Sequence, residues 1–211
     1  MSNEFWDLNA SAWSEVISSQ GIPSRKATNQ ALMEIILALK TKSLLDIGCG
    51  EGFLLPALQE KSIYYQGVDG SEKLTELALQ KHGNFFENVT YQKIIESQWR
   101  PSQKFNVVLF NFSLFDEKIS DLLKAAKSFL HPQGSILIQT LHPCFAMKEY
   151  VSGWNLEDFK TMSVPFSGTM RWYGRTLSDW QREFREAGLS IQEIQEPRFD
   201  GKVASIIFRL I

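Results

Sequence analysis

Cysteine and histidine are scarce. Two cysteines, Cys49 and Cys144, in 211 residues do not make a disulfide framework. Together with three histidines at unrelated spacings they form no zinc pattern, and no metal is expected. Long apolar runs are missing too. Stretches such as VVLFNFSLF fall far short of the roughly 20 residues that cross a bilayer. The N-terminus, MSNEFWDLNASAW, is polar with scattered aromatics and has no leader-like apolar segment, so a reducing, cytoplasmic setting is expected. Charge of one sign is nowhere concentrated. The 22 basic and 24 acidic residues are dispersed and leave a net charge of −2, which gives no electrostatic footprint for nucleic acid or an anionic membrane. There is no internal repeat and no low-complexity tract.

What is present reads as a single domain over 1–211, long enough to bury its core without staples. Residues 4–19 carry Phe5, Trp6 and Trp13 on a helical spacing. After Gly21-Ile22-Pro23, Ser24 is placed to cap a helix over 25–40, and 1–40 forms an N-terminal helical cap. From there short apolar runs alternate with helical patterns. Strands are expected at 43–47, 63–68, 89–94, 105–111 and 134–140, and helices at 53–61, 71–82 and 117–130, with Pro132-Gln133-Gly134 dividing the last helix from its strand. Near-continuous apolar strands indicate burial on both faces, hence a doubly wound α/β fold with a mostly parallel sheet and helices on both sides. Residues 142–175 break the alternation with many aromatics and read as an insertion over the cleft. A helix at 177–187 and strands at 190–195 and 203–209 close the chain.

The strongest local pattern is LLDIGCGEGFL at 44–54, a strand running through Asp46 into Gly48, Gly50 and Gly52 and then a helix. Glycine serves where the backbone turns sharply or a ligand approaches main-chain atoms, and exposed amides at a helix start suit a polar ligand group. A dinucleotide site needs a small residue where Phe53 stands, and no Gly-Lys-Ser/Thr of a P-loop follows. The next strand ends in Asp69, then Gly70-Ser71, about 20 residues on, where an acid accepts ribose hydroxyls at the carboxyl edge of an open sheet.

The run Asp46-Ile-Gly-Cys-Gly-Glu-Gly followed by Gly67-Val-Asp69-Gly-Ser resembles the first two motifs of the class I S-adenosylmethionine-dependent methyltransferases, and the order of later elements over roughly 41–140 is similar. The resemblance implies a Rossmann-like seven-stranded sheet of order 3-2-1-4-5-7-6 with the last strand antiparallel, and S-adenosylmethionine as cofactor. It implies that Gly48, Cys49 and Gly50 pass under the methionine part, and that Asp46 orients this loop or meets the amino group. It places Asp69 on the ribose, Gly70 and Ser71 beside the adenosine, and Asn111 and Phe112 near the amino group and sulfonium. Arg25 would reach the cofactor carboxylate. Many members carry an Asp after the third strand for the adenine amino group. Here the stretch read as equivalent is Lys93-Ile94-Ile95-Glu96, so either Ile94 and Ile95 contact adenine or Glu96 substitutes.

Methyl transfer from a sulfonium needs alignment and exclusion of water, and a base only if the acceptor must lose a proton. His142, directly after the fifth strand, is a candidate base; the plain alternative is a histidine capping that strand. Tyr173 and Arg175 lie in a Met170–Trp180 stretch that resembles one in small-molecule members; they either face the substrate or form a packed aromatic and an ion pair. Either Ser178 or Thr176 caps the helix that follows. Trp13, Trp154, Trp172 and Tyr173 are candidate walls for a hydrophobic small-molecule acceptor, or plain core. Nucleic-acid methylation is disfavoured: after the fourth strand Asn111-Phe112-Ser113-Leu114 lacks the prolines of the amino-directed enzymes. A non-catalytic cofactor-binding module is the other alternative.

Overall fold

The computed structural model describes residues 3–211; residues 1 and 2 of the expected 1–40 cap lie outside the described residues. The chain opens with helices α1 (Glu4–Leu8), α2 (Ala10–Ser18) and α3 (Ser24–Ala38). There follow β1 (Ser43–Ile47), α4 (Leu55–Glu60), β2 (Tyr64–Asp69), α5 (Glu72–His82), β3 (Phe86–Asn88), α6 (Tyr91–Ile95), β4 (Phe105–Asn111), α7 (Ser120–Lys127) and β5 (Leu130–Thr140). The rest comprises α8 (Pro143–Ala146), β6 (Gly153–Glu157), β7 (Met170–Gly174), α9 (Leu177–Glu186), β8 (Ile191–Gln195), β9 (Arg198–Phe199), β10 (Lys202–Val203) and β11 (Ile206–Leu210).

Seven strands form one sheet in the order β3-β2-β1-β4-β5-β11-β8. Neighbours from β3 to β5 pair in parallel, and β11 alone runs antiparallel to both its neighbours. With the two small ribbons set aside, this is the 3-2-1-4-5-7-6 order. Strand alternation explains the layers. In β4, Val108 and Phe110 point into one core cluster while Val107 and Leu109 point into the other, all of them buried. Leu122, Leu123 and Ala126 of α7 with Trp180 and Phe184 of α9 cover the first face; Leu32 and Ile36 of α3, Leu55 and Leu58 of α4, and Ala78 of α5 cover the second. Each of the leucine, isoleucine and phenylalanine side chains contributes about 1.5–3 kcal/mol by leaving water.

Four local expectations are corrected. Residues 89–94 are not a strand. The third strand ends at Asn88, and the Thr90 hydroxyl accepts the Lys93 amide (3.3 Å) to start α6. The apolar positions 91, 94 and 95 there follow a helical spacing, which outweighs the strand propensity of Val, Thr and Tyr. Ser24 is the first residue of α3 and not its cap. Pro132-Gln133-Gly134 lies inside β5, where the pairing with β4 jumps from Phe105–Leu130 to Val107–Ser135; the helix before it has already ended at Lys127. Residues 203–209 split into the short β10 and the sheet strand β11. Thr176, whose hydroxyl accepts the Asp179 amide at 3.2 Å, is the cap of α9.

Within 142–175, β6 and β7 pair as an antiparallel ribbon, and the Tyr173 amide ties it to the Phe115 carbonyl (2.8 Å). Phe5 of α1 stacks on Phe159 and Phe166 of this segment, Trp6 meets Phe159 edge-on, and Trp13 of α2 meets both rings edge-on. Asn9 exchanges two hydrogen bonds with the Ser167 backbone, donating to its carbonyl and accepting its amide. The N-terminal helices and the 142–175 segment therefore pack as one cover.

Candidate functional site

A cavity of about 510 Å³ opens at the carboxyl ends of β1, β2 and β4, under that cover. This is where an open parallel sheet leaves main-chain groups free. The turn after β1 forms its floor. Gly48 has φ +81°, and a Cβ there would collide with Ser113 and the Tyr91 hydroxyl, so only glycine fits beneath the 111–113 turn. At Gly50, with φ +59°, a Cβ would meet only the Trp13 ring nitrogen, at an ordinary contact distance of 3.9 Å.

Asp69 closes the loop electrostatically. Its Oδ2 accepts the Gly50 amide (2.8 Å) and its Oδ1 accepts the Ser71 amide (2.8 Å), which joins the glycine turn to the turn after β2. Burial raises its pKa, and the two amides oppose that rise by favouring the ionised form. Each oxygen keeps a lone pair for a further donor. Asp46 lies beneath, buried, with Oδ2 accepting the Tyr65 hydroxyl (3.0 Å) and Oδ1 without a partner among the described residues. Burial lifts its pKa to about 7, against the opposing bond from Tyr65 and with the help of the Asp69 charge.

The opposite wall is the turn after β4. Asn111 lines the cavity and is buried, yet neither polar atom of its side chain has a partner among the described residues. Phe112 is held at φ +52°, a left-handed conformation that is strained for a bulky residue, with its amide on the Gln139 carbonyl (2.7 Å). Arg25 enters from α3. Its guanidinium lies 5.0–5.4 Å from the ring centres of Trp13, Phe53 and Phe112, and burial lowers its pKa to about 10. No carboxylate pairs with it among the described residues.

These groups fit S-adenosylmethionine. A carboxylate with spare lone pairs matches ribose hydroxyls, an unsatisfied amide matches the amino group, and a half-buried cation with no carboxylate beside it among the described residues matches the carboxylate.

The structure gathers Gly48, Cys49, Gly50, Asp69, Gly70, Ile95, Asn111, Phe112 and Trp13 around one cavity. It does not gather all that the sequence suggested. Asp46 sits below the loop and Ile94 is core. Ser71 turns away to cap α5, accepting the Leu74 amide (3.1 Å) and donating to Asp7 (2.6 Å). Glu96 is absent from the lining.

His142 does not line the cavity: its Nε2 bonds Glu196 (2.8 Å) and its Nδ1 accepts the Cys144 amide (3.2 Å), so both nitrogens are engaged, the second in capping α8. Tyr173, Trp172 and Arg175 border a separate small recess. Trp154 is half exposed against Tyr173 and Arg171. Arg175 is buried between the Tyr173 and Trp180 rings, and donates to the Leu114 (3.4 Å) and Asp116 carbonyls. Burial lowers its pKa to about 10. Glu183 accepts the Ile119 (3.0 Å) and Ser120 (2.9 Å) amides of the same loop. Arg175 and Glu183 thus hold residues 114–120 from behind, while Phe115, Asp116 and Lys118 of that loop line the cavity.

Trp6, Phe115, Asp116, Tyr91 and Gln92 were not singled out from sequence. Phe115 and Asp116 follow directly on the Asn111-Phe112 turn and were within reach of the same reading. Tyr91 and Gln92 were hidden by the misplaced third strand.

Sheet order, glycine turn, second-strand acid and the fit of the cavity define a class I S-adenosylmethionine-dependent methyltransferase. A family profile described as a methyltransferase domain matches residues 24–194, and the chain belongs to that family. The ubiquinone biosynthesis O-methyltransferase of Coxiella burnetii is 27% identical over 146 residues; the match covers 67% of this chain and 62% of that protein. Among solved structures, a DhpI-SAM-HEP complex superposes with a TM-score of 0.69 at 13% identity, covering 99% of this chain and 94% of that one. An S-adenosylmethionine-dependent methyltransferase of Clostridium acetobutylicum gives 0.64 at 12%, covering 95% and 96%. At these identities the structures speak to fold. Among the described residues no helix is long and apolar enough to cross a membrane.

Proposed function

We propose that the chain methylates a small, ring-bearing molecule held at the aromatic end of the cavity. The observation that carries this reading is the composition of that end. Trp6, Trp13, Phe112 and Phe115 wall it, the N-terminal helices roof it, and Asp116 and Lys118 bring polar groups to one side. An enclosed apolar wall with a few polar groups suits a small ligand, whereas a duplex needs an open, basic face. The dispersed charge and net charge of −2 support the same choice.

S-adenosylmethionine supplies a methyl already activated on sulfonium, so the protein's task is alignment in a dry site. Asp69 holds the ribose through its free lone pairs, Asn111 takes the amino group, and Arg25 takes the carboxylate. The strained Phe112 turn fixes the wall against which the acceptor lies. Trp6 and Trp13 exclude water above it. Phe115, Asp116 and Lys118 orient the acceptor on a loop that Arg175 holds in place, which makes Arg175 a positioning residue. The name of the Coxiella burnetii relative favours a hydroxyl acceptor.

The test is release of S-adenosylhomocysteine on incubation with S-adenosylmethionine and each of a set of phenols, catechols and aromatic amines, beside oligonucleotides and unstructured RNA. Turnover with a small aromatic and none with nucleic acid is expected. Turnover with nucleic acid alone overturns the reading.

A further inference from the structure

The β6–β7 ribbon has one buried face and one bare edge. Met170 and Trp172 of β7 pack inward against Phe115, Met147 and Phe159. The alternate residues form the outer face. There the Arg171 guanidinium lies 4.0 Å from the centre of the Trp154 ring, Tyr173 meets that ring edge-on, and Leu156 is 73% exposed.

The register shows where the edge points. Trp154 stands opposite Tyr173, and Leu156 opposite Arg171. The Tyr173 amide donates to the Phe115 carbonyl, so it points away from β6. In an antiparallel pair the N–H and C=O of one residue point the same way, and those of the next residue point the opposite way. Trp154–Tyr173 and Leu156–Arg171 are therefore the pairs without ladder bonds. The N–H and C=O of Trp154 and of Leu156 point outward, and no group among the described residues bonds them. Such a row is a template for another strand, and native edges are guarded by lysine, proline or a bulge. β6, Gly-Trp-Asn-Leu-Glu in unbroken register, has none of these. The outer strands of the main sheet offer less: β3 has three residues, and β8 carries Gln192, Glu193 and Gln195.

The bare edge matches itself. Turned end for end about Asn155, β6 sets Trp154 of one copy against Leu156 of the other, twice. These are the residues whose bonds point outward, so four backbone hydrogen bonds close around the axis. The side chains agree, since each Trp154 lies beside the partner copy's leucine on one face. On the other face Glu157 falls against Gly153, where an added Cβ would meet nothing within 4 Å, so the two acids do not confront each other. Asn155 meets its own copy, and an amide both donates and accepts.

We propose that two copies of this chain associate by antiparallel pairing of β6 with β6, with the twofold axis at Asn155. Each two-stranded ribbon, marginal by itself in water, becomes half of a four-stranded sheet. Exposed Tyr150 and Val151, just before the strand, add apolar surface beside it. One strand and its flanks make a small interface, so a dissociation constant of about 1–100 µM is expected. The pairing does not depend on what the cavity binds.

Sedimentation velocity of the full chain should show the mass rising with concentration from 24.2 kDa toward twice that value. Leu156→Pro removes an outward N–H and spares every bond to β7; Leu156→Lys puts a charge on the face and keeps the backbone intact. Each should weaken association by about ten-fold or more. Crosslinking reads the register. Cys49 is buried and Cys144 exposed, so the background is Cys144→Ser. Asn155→Cys brings two Cα atoms to about 4.5 Å at the axis, within disulfide reach, whereas Glu157→Cys stays more than about 13 Å from its copy. Diamide should link the first into a dimer and leave the second as monomer. A wild type of monomer mass up to about 300 µM, well above the expected constant, overturns the proposal. So does association untouched by both Leu156 variants, or equal crosslinking at 155 and 157.

Discussion

The Asp69 carboxylate accepts the Gly50 amide at 2.8 Å through one oxygen and the Ser71 amide at 2.8 Å through the other. One side chain thereby fixes the spacing between the glycine turn and the second-strand turn, and still presents acceptor capacity to the cavity. Residues 19 apart in sequence act as one cradle.

The Arg25 guanidinium sits among three aromatic faces, with no carboxylate beside it among the described residues. If it receives the cofactor carboxylate, Arg25→Met should weaken S-adenosylhomocysteine binding by roughly ten- to a hundred-fold, the scale of one charged hydrogen bond. The same change should leave adenosine affinity within about two-fold, since adenosine has no carboxylate. Calorimetry with both ligands checks the split.

Arg175 holds the 114–116 carbonyls while Glu183 holds the 119–120 amides. Arg175→Met should cost roughly 2–4 kcal/mol of stability, because it leaves buried carbonyls unpaired. It should also speed amide exchange at 113–119 more than in the glycine turn. Denaturant unfolding and hydrogen exchange measure the two effects. Uniform acceleration across the chain would contradict a positioning role.

Asp46 has a pKa raised by burial from 3.8 to about 7. Its protonated form is favoured in the folded chain, so its contribution to stability is complete below about pH 4 and is lost as pH rises through 7. Between those values the slope approaches about −1.4 kcal/mol per pH unit. Asp46→Asn should abolish that part of the slope. Unfolding at pH 5.5 and pH 8 should show the wild type losing ground to the variant as pH rises. Parallel losses in the two proteins would contradict the assignment.

Much of this was readable from local pattern. The β1 and β4 bounds, 43–47 and 105–111, follow from near-continuous apolar runs, and the cradle from Gly48, Gly50 and Asp69. The third strand was misread because Val89-Thr90-Tyr91 has strand propensity, whereas the Thr90 cap and the 91/94/95 spacing decide for a helix once Ile94 meets the core. That error hid Tyr91 and Gln92, which line the cavity beside Ile95. His142 could not be judged from sequence, because its partner Glu196 lies just past the end of β8, 54 residues later. For Arg175 the resemblance of its stretch to small-molecule members left a substrate contact and an ion pair both open; only the tertiary fold reveals that its guanidinium faces backbone carbonyls.

The most direct measurement is calorimetric titration of wild type and Asp69→Ala with S-adenosylmethionine and S-adenosylhomocysteine, with NAD as control. Wild type should bind both adenosyl ligands and ignore NAD, and the substitution should weaken them by roughly a hundred-fold, the scale of two hydrogen bonds to a carboxylate. Undiminished binding by Asp69→Ala, or a wild type that binds NAD and neither adenosyl ligand, would contradict the cradle.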